Sequence, residues 1–309
     1  MIDEEALGKL LRAGEIAEAI LDEAGKLLVP GASARKICER LESRIVELGG
    51  RPAFPCNFSV NEVAAHYTPG IEDDIILEGD EVVKVDVGVH VDGYIADTAR
   101  TFDLSGKHEK LLEAARDALQ AVISAMRPGI SLYEIGRRIE QAIRRKGFKP
   151  IRNLSGHTIS RWIIHAGISI PNYGDRRAAA IRLRPGTIAA IEPFATNGRG
   201  MVKDGSIVNI YAYTGKTPRI PLSEEEAKIL HYIIEEYKTL PFTPRWLTSR
   251  FPPEIVRETV KSLTAKGVLY DYPILVEAGK GLVSQFEHTF VILNDRVIVT
   301  TCKACGQSP

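Results

Sequence analysis

The chain of 309 residues contains an internal duplication that constrains its fold more than any other feature. Residues 29–49 align with residues 127–147 at an offset of 98. In each copy Pro-Gly ends one helical pattern, a serine (Ser33 or Ser131) is placed to cap the next helix, and apolar residues recur at helical spacing up to a glycine. A weaker echo relates residues 79–86 to 186–192, where an apolar run leads to a carboxylate. The sequence therefore predicts two related halves, each a helix pair and a strand that delivers an acid.

The composition is that of an ordinary soluble globular protein, with 44% apolar and 26% charged residues. Forty Lys and Arg balance forty Asp and Glu, so no overall basic field points to nucleic acid or to an anionic membrane. The N-terminal residues lack the pattern of a secretory leader, and no run of roughly 18 apolar residues occurs. We therefore expect a cytoplasmic protein that binds no specific nucleic acid and no membrane.

Four carboxylates and one imidazole lie in apolar, strand-like runs: Asp86, Asp97, His157, Glu192 and Glu287. Any one of them alone would be interpreted as a strand-end carboxylate or a core histidine. Together the acids carry a charge of about −4, and like charges in one pocket force protonation or unfolding unless cations compensate them. Two divalent ions would bring about +4, and oxygen ligands with one imidazole suit Co, Mn, Fe or Zn. The set therefore predicts a two-metal hydrolase.

This prediction depends on the pairing of two strands within residues 82–104. Asp92-Gly93 is a dipeptide suited to a type I′ hairpin turn. With these two residues as the loop, Gly88 faces Asp97, and Asp86 and Asp97 share one face of the sheet as diagonal neighbours. A three-residue loop would place the two carboxylates on opposite faces. Glu287 lies in another strand pattern over residues 282–291, in which His288 must point to the opposite face.

A segment of different composition separates Glu192 from Glu287. Ser223 to Glu226 forms a capping box that opens a helix to about Lys238, and a second helix is predicted near Glu254 to Lys266. Helix, turn and helix resemble a winged-helix nucleic-acid binder. Residues 221–271 hold seven Lys or Arg and eight Asp or Glu, and the lack of a basic excess argues against that function.

The four cysteines are too few for a disulfide framework. Cys302-Lys303-Ala304-Cys305 is only half of a zinc site, and it does not follow the strand-to-helix position of a redox motif. We expect this pair to be free or locally bridged.

Three histidines have small or apolar neighbours, which favours a lined cavity: His66, His157 and His165. With the carboxylates they carry a resemblance to the methionine aminopeptidases that covers nearly the whole chain. Its motifs are Asn61-Glu62-Val63-Ala64-Ala65-His66-Tyr67-Thr68-Pro69, Val85-Asp86-Val87-Gly88, Ile95-Ala96-Asp97-Thr98, Gly156-His157, Ile164-His165-Ala166-Gly167, Ile191-Glu192-Pro193-Phe194 and Gln285-Phe286-Glu287-His288-Thr289. The 95 residues between Glu192 and Glu287 are similar to the type 2 class, without the long N-terminal extension of its eukaryotic members.

The resemblance implies an α+β pita-bread fold, in which duplicated helix pairs back a curved antiparallel sheet. It implies a catalytic domain of residues 1–195 and 272–309 and an inserted helical, winged-helix-like subdomain of residues 196–271. The activity would be cotranslational removal of the N-terminal methionine before a small second residue. The partners would be nascent polypeptides and the ribosome, and we expect a monomer.

The resemblance also implies a role for each metal ligand. Asp86 would chelate one ion, Asp97 and Glu287 would bridge two ions, and His157 with Glu192 would complete the shell of the second ion. Water shared by the ions would attack the scissile carbonyl, with Glu192 as proton carrier.

The remaining site residues are expected around the substrate. His66 and His165 would contact it and stabilise the tetrahedral intermediate. The methionine side chain would be surrounded by Phe54, Ile164 and Tyr272, with Phe194 nearby. Ser155 stands where many type 2 members have Asn, a difference that concerns substrate contacts and not the metal ligands.

Two other readings of the sequence stay open. Aminopeptidase P and prolidase use similar ligands to cleave beside proline, although they usually carry a sizeable N-terminal domain. A metal-free relative could act as a binding or scaffold protein, but the presence of all five ligand types argues against that alternative.

Overall fold

The duplicated sequence forms two related helix pairs. The structure, a computed structural model, describes residues 2–305 and 307–308. The first pair is α1 (Glu4–Leu27) and α2 (Ala34–Glu47), and the second is α3 (Glu109–Ile123) and α4 (Leu132–Arg145). α2 and α4 have 14 residues each and lie at equivalent positions of the two copies. The predicted caps are confirmed, since Ser33 Oγ accepts from the N–H of Lys36 and Ser131 Oγ from that of Glu134.

The turn before each capped helix is also duplicated. Gly31 and Gly129 have φ of +83° and +80°, a conformation that favours glycine. Their N–H groups donate to the carbonyls of Leu77 and Leu183, which tie each helix pair to the segment that enters the next strand. The duplication in the sequence therefore reproduces backbone conformation and tertiary contact.

The strands form four antiparallel sheets in the described part of the chain. One holds β1 (Arg51–Pro52), β2 (Asn57–Val60), β4 (Val82–Val91) and β5 (Tyr94–Asp103), and a second holds β3 (Val63–Ala65), β11 (Val202–Tyr213) and β12 (Leu269–Glu277). A third holds β6 (Lys149–Pro150), β10 (Phe194–Thr196) and β13 (Val283–Gln285). The fourth holds β7 (Ser155–Ile159), β8 (Ser169–Pro171), β9 (Ile188–Ile191), β14 (His288–Ile292), β15 (Val297–Val299) and β16 (Gln307–Ser308).

Each helix pair packs on the strands of its own half. Ile37 and Leu41 share a core with Val85 of β4, and the equivalent Ile135 and Ile139 share a core with Ile191 of β9. Two apolar cores thus support the strands from which the carboxylates project. The fold is the predicted α+β arrangement of duplicated halves.

The hairpin of β4 and β5 has the predicted two-residue turn. Val91 pairs with Tyr94 and Gly88 with Asp97, so Asp92-Gly93 is the loop. Both loop residues have positive φ, +51° and +83°, as a type I′ turn requires. Asp86 pairs with Ala99, so Asp86 and Asp97 are diagonal neighbours on one face.

The strand predicted over residues 282–291 is interrupted, and that prediction was wrong in its continuity. β13 pairs with β10 and β14 pairs with β9, so the chain changes partners at Phe286 and Glu287. At the break Phe286 N–H donates to Pro193 O and Glu287 N–H to Ala99 O. The change of partner brings Glu287 against β5.

The helical segment between β11 and β12 contains three helices, α5 (Glu224–Tyr237), α6 (Pro244–Leu247) and α7 (Pro253–Ala265). The capping box at Ser223 and Glu226 is present. α6 was not predicted, because it lies in the Pro-rich stretch between the two helices that the sequence indicated. β11 and β12 pair at both ends, with register shifts between Asp204 and Ile210, and β12 also pairs with β3. Within the described residues, no helix is both long and apolar enough to cross a membrane.

Candidate metal centre

The five predicted ligands come together from five places in the fold. Asp86 lies on β4, Asp97 on β5 and His157 on β7, while Glu192 follows β9 and Glu287 lies between β13 and β14. His157 Nε2 is 3.5 Å from Asp97 Oδ2 and 3.5 Å from Glu192 Oε1. Ligand atoms of Asp97, His157 and Glu287 all lie within 4.8 Å of one another. All five residues line one cavity.

The position of Asp97 is fixed by a reciprocal contact between strands. Its N–H donates to Thr289 Oγ1 and its carbonyl accepts from the same hydroxyl, both at 2.8 Å. Thr98 Oγ1 donates to the Glu287 carbonyl at 2.7 Å. These two threonine hydroxyls thereby join the segments that carry Asp97 and Glu287, and the two acidic residues are only 3% and 1% exposed.

The four buried carboxylates need compensating positive charge to be ionised together. Burial, with the neighbouring carboxylates, raises the pKa of Asp86, Glu192 and Glu287 well above the usual range, and burial raises that of Asp97 to about 7. Across the described part of the chain, no lysine or arginine pairs with these acids. Three carboxylate oxygens have no hydrogen-bond partner among the described residues: Asp86 Oδ1, Asp97 Oδ1 and Glu287 Oε1.

These observations fit divalent metal ions. Buried carboxylate oxygens without partners cost free energy unless a charge compensates them. Burial also lowers the pKa of His157 to about 4, so its imidazole is neutral near pH 7 and can ligate.

Sequence reasoning missed Gln285. Its side chain lies among the acids, with Nε2 3.1 Å from Glu287 Oε2 and 3.5 Å from oxygens of both Asp86 and Glu192. Gln285 is buried, and its N–H and carbonyl both bond Thr101 Oγ1. Its position two residues before Glu287 was the available signal, but an uncharged amide in a strand pattern gave no reason to select it.

His66 and His165 line the same cavity. The N–H of His66 donates to Asn57 Oδ1 at 2.8 Å, and its ring Nδ1 lies 3.3 Å from the carbonyl of Pro273. Because a carbonyl only accepts, Nδ1 carries the proton of the neutral ring, and Nε2 therefore keeps a lone pair that can accept a hydrogen bond. Burial, with His165 nearby, lowers the pKa of His66 to about 4. The ring of His165 packs edge-on against that of His157, with centroids 4.5 Å apart.

The predicted methionine-pocket residues also line this cavity, which has a volume of about 530 Å³. Phe54 and Ile164 are buried, and Tyr272 packs edge-on against His66 with ring centroids 5.5 Å apart. Phe194 and Ser155 contribute to the wall as well. Every residue predicted for metal or substrate therefore faces one space.

The fold and the acid cluster define a metal-dependent hydrolase, and comparison with known proteins agrees. The model of metallopeptidase family M24 matches residues 8–293. A methionine aminopeptidase of Pyrococcus abyssi is 48% identical over 95% of this chain and 98% of its own length. One of Methanocaldococcus jannaschii is 46% identical over 96% of this chain and 99% of its own.

Solved structures show the same fold. A thermophilic Arx1 has a TM-score of 0.84 at 19% identity, covering 97% of this chain and 91% of that one. A methionine aminopeptidase of Thermotoga maritima has a TM-score of 0.69 at 22% identity, covering 98% and 99%. The chain belongs to metallopeptidase family M24 and, within it, to the methionine aminopeptidases. Divalent metal is thus part of its chemistry, as the Asp97, His157 and Glu287 group also indicates.

Proposed function

We propose that this protein removes the N-terminal methionine from polypeptides with two divalent ions held by Asp86, Asp97, His157, Glu192 and Glu287. The observation that carries the proposal is the convergence of four carboxylates and one neutral imidazole on one cavity, with three acid oxygens lacking partners among the described residues. Relatives at 46–48% identity over nearly the full chain, named methionine aminopeptidases, support the reaction.

The ions, when bound, would lower the pKa of a shared water and polarise the scissile carbonyl. Asp97 and Glu287 would contribute oxygens to both ions, because each carboxylate has two oxygens and both residues are buried in the wall of the cavity. Asp86 would hold one ion, and His157 with Glu192 the other. Glu192, which lines the cavity beside His157, would carry a proton from the water to the leaving amine.

The two histidines would contact different groups of the substrate. The Nε2 of neutral His66 accepts hydrogen bonds, so it would bind a substrate N–H. His165 lies beside His157 and would donate to the carbonyl oxygen, where negative charge develops in the tetrahedral intermediate.

Phe54, Ile164 and Tyr272, with Phe194, would enclose the methionine side chain. Aromatic edges near a thioether are favourable, and an apolar pocket accepts its carbon chain. A small second residue is the matching expectation, and we include it in the proposal.

We also propose the substrates, the partner, the location and the domain organisation of the enzyme. Nascent polypeptides beginning with methionine would be the substrates, with the ribosome as partner, and the enzyme would act as a cytoplasmic monomer. Residues 1–195 and 272–309 would form the catalytic domain, and residues 196–271 the inserted subdomain.

The test is release of methionine from Met-Ala-Ser by protein stripped of metal and then reloaded. Activity is expected only after metal is supplied, with Co, Mn, Fe and Zn compared separately. Metal analysis should give two ions per chain. Asp97→Ala and Glu287→Ala should abolish turnover, because each would remove a carboxylate that we propose as a metal ligand. Full turnover by either variant or by the metal-free protein would contradict the proposal.

A set of Met-X peptides tests the second-residue preference, and Xaa-Pro peptides test the prolidase alternative. The prolidase of Pyrococcus furiosus shares the fold at a TM-score of 0.62, but this chain covers only 65% of that protein. Cleavage of Xaa-Pro in preference to Met-Ala would favour the alternative.

A further inference from the structure

The motif Cys302-Lys303-Ala304-Cys305 lies beside a histidine in the structure. His288, Cys302 and Cys305 each offer a ligand atom, and these atoms lie within 4.8 Å of one another. The three residues line a small cavity separate from the substrate cavity, because His288 points away from the face that carries Glu287. We propose that they form a second metal site, which takes a soft divalent cation such as Zn²⁺ when the two cysteines are reduced.

The donor set suits that class of cation. Thiolate sulfur and imidazole nitrogen are the preferred ligands of zinc, and two cysteines separated by two residues are a common half-site. The sequence supplies only this half-site, and the fold supplies the third ligand from β14. The four acids of the catalytic cavity, by contrast, offer oxygen.

The site is under redox control. In the structure the two sulfurs are joined as a disulfide. A dithiol reductant would break the S–S bond, supplying two electrons and two protons, and would itself become a disulfide. Zn²⁺ would then displace the two thiol protons and form two Zn–S bonds.

The histidine ring is already oriented for ligation. Its Nδ1 lies 2.9 Å from Thr301 Oγ1 and 3.4 Å from Thr98 Oγ1. Hydroxyl contacts at one ring nitrogen fix the imidazole and leave the other nitrogen, Nε2, for the metal.

The turn that carries the cysteines has anchors other than the S–S bond. The N–H of Lys303 donates to both carboxylate oxygens of Glu18 at 3.1 and 3.3 Å, and the N–H of Cys305 donates to the carbonyl of Cys302 at 3.3 Å. Both cysteine side chains pack against the core of the second half. Reduction therefore leaves the two sulfurs close to His288.

The surrounding cavity has space for a fourth ligand, and the positive charges that line it are paired with acids. Its volume of about 160 Å³ holds a water as the fourth ligand. Arg100 and Arg116 also line it, but they pair with Asp22 and Glu109 at 2.8 and 2.7 Å. Two thiolates would bring two negative charges, which Zn²⁺ compensates.

The experiment uses Co²⁺ as the probe, because thiolate-to-cobalt charge transfer absorbs in the near ultraviolet and oxygen or nitrogen ligands give no such band. Full-length protein is stripped of metal, reduced with a phosphine, desalted without oxygen and titrated with Co²⁺. We expect the thiolate band in reduced protein and its loss on adding Zn²⁺. Oxidised wild-type protein should show no band.

The matched variant is Cys302→Ser with Cys305→Ser, which keeps Cys38 and Cys56, both buried. Loss of the band in this variant, with unchanged methionine release and melting temperature, supports the site. His288→Ala in the reduced protein should raise the Co²⁺ concentration at which the thiolate band appears. Absence of the band from fully reduced wild-type protein at saturating Co²⁺, or its persistence in the double variant, would overturn the proposal.

Discussion

His66 has a backbone conformation that side chains other than glycine rarely adopt, with φ +67°. Such a conformation costs about 1–3 kcal/mol and persists only where the surroundings fix it. Asn57 accepts from the backbone N–H and the Pro273 carbonyl contacts ring Nδ1, and these contacts hold His66 in the cavity wall. Two contacts and a strained backbone thus position the imidazole.

His66→Asn removes the imidazole and keeps the backbone conformation, because asparagine tolerates positive φ. We expect unchanged metal content and a turnover lower by about 100-fold or more, because a group that contacts the transition state is lost. Metal analysis and Met-Ala-Ser kinetics measure the two effects. His231→Asn, at an exposed position of α5, is the control and should change neither. Loss of an ion from His66→Asn would make His66 a ligand.

A second residue-scale prediction concerns Gln285, whose amide lies among three of the acids. Gln285→Met keeps the length of the side chain and removes the donor. We expect metal affinity to fall by about 10-fold, as for other groups that orient metal ligands. Titration of the metal-free variant with Co²⁺ measures this, and equal affinity would show that Gln285 only fills space.

At the scale of elements, the turn between β4 and β5 sets the geometry of the acids. Gly93 has φ +83°, and an added Cβ would lie 2.3 Å from the ring of Trp162. Gly93→Ala should therefore lower the free energy of unfolding by about 2 kcal/mol or more. Turnover should fall with it, because Asp97 moves relative to Asp86. Urea unfolding and kinetics check both effects.

Gly106→Ala is the matched control for this turn. It also has positive φ, +69°, but nothing lies within 4 Å of the added Cβ. We expect a cost of about 1 kcal/mol and normal turnover. An equal loss of turnover in Gly93→Ala and Gly106→Ala would mean that the turn at Gly93 does not set the register of Asp86 and Asp97.

Elements that depend on local signals could be predicted from the sequence, and those that depend on distant contacts could not. Asp92-Gly93 predicted the hairpin and its register, and the repeated Pro-Gly and serine predicted α2 and α4, because these signals act over a few residues. The break at Phe286 could not be predicted, since it depends on Pro193 and Ala99, which are distant in the chain. The place of Gln285 among the acids and the positive φ of His66 were not predicted for the same reason, since they depend on contacts between residues distant in the chain. The five proposed ligands could be selected from the sequence because charged side chains are conspicuous in apolar runs, and the structure brings them to one cavity.

At the scale of the whole molecule, a buried ion pair fastens the helical segment to the first helix pair. Arg245 of α6 makes two bonds of 2.9 Å to Glu42 of α2 and donates to the carbonyl of Pro69 at 3.1 Å. Trp246 Nε1 also donates to Glu42, at 2.9 Å. The acid and the guanidinium are both buried.

Removing one partner should be costly. Arg245→Ala leaves Glu42 buried without its cation, and we expect the free energy of unfolding to fall by about 3–5 kcal/mol. Glu42→Leu combined with Arg245→Met should cost less, because no unpaired charge remains. Urea unfolding of both proteins tests this. A single variant as stable as the double variant would show that the pair contributes little.

The helical segment leaves the sheet after Tyr213 and returns at Leu269, and these two residues are direct partners in the ladder of β11 and β12. Antiparallel partners lie about 5 Å apart, so any segment whose ends meet can be joined there. The ladder that follows, which carries Tyr272 to the cavity, keeps its pairing whatever is attached. In evolutionary terms, a helical segment can be gained, exchanged or lost at this junction while the five proposed metal ligands, which lie outside β11 and β12, stay in place.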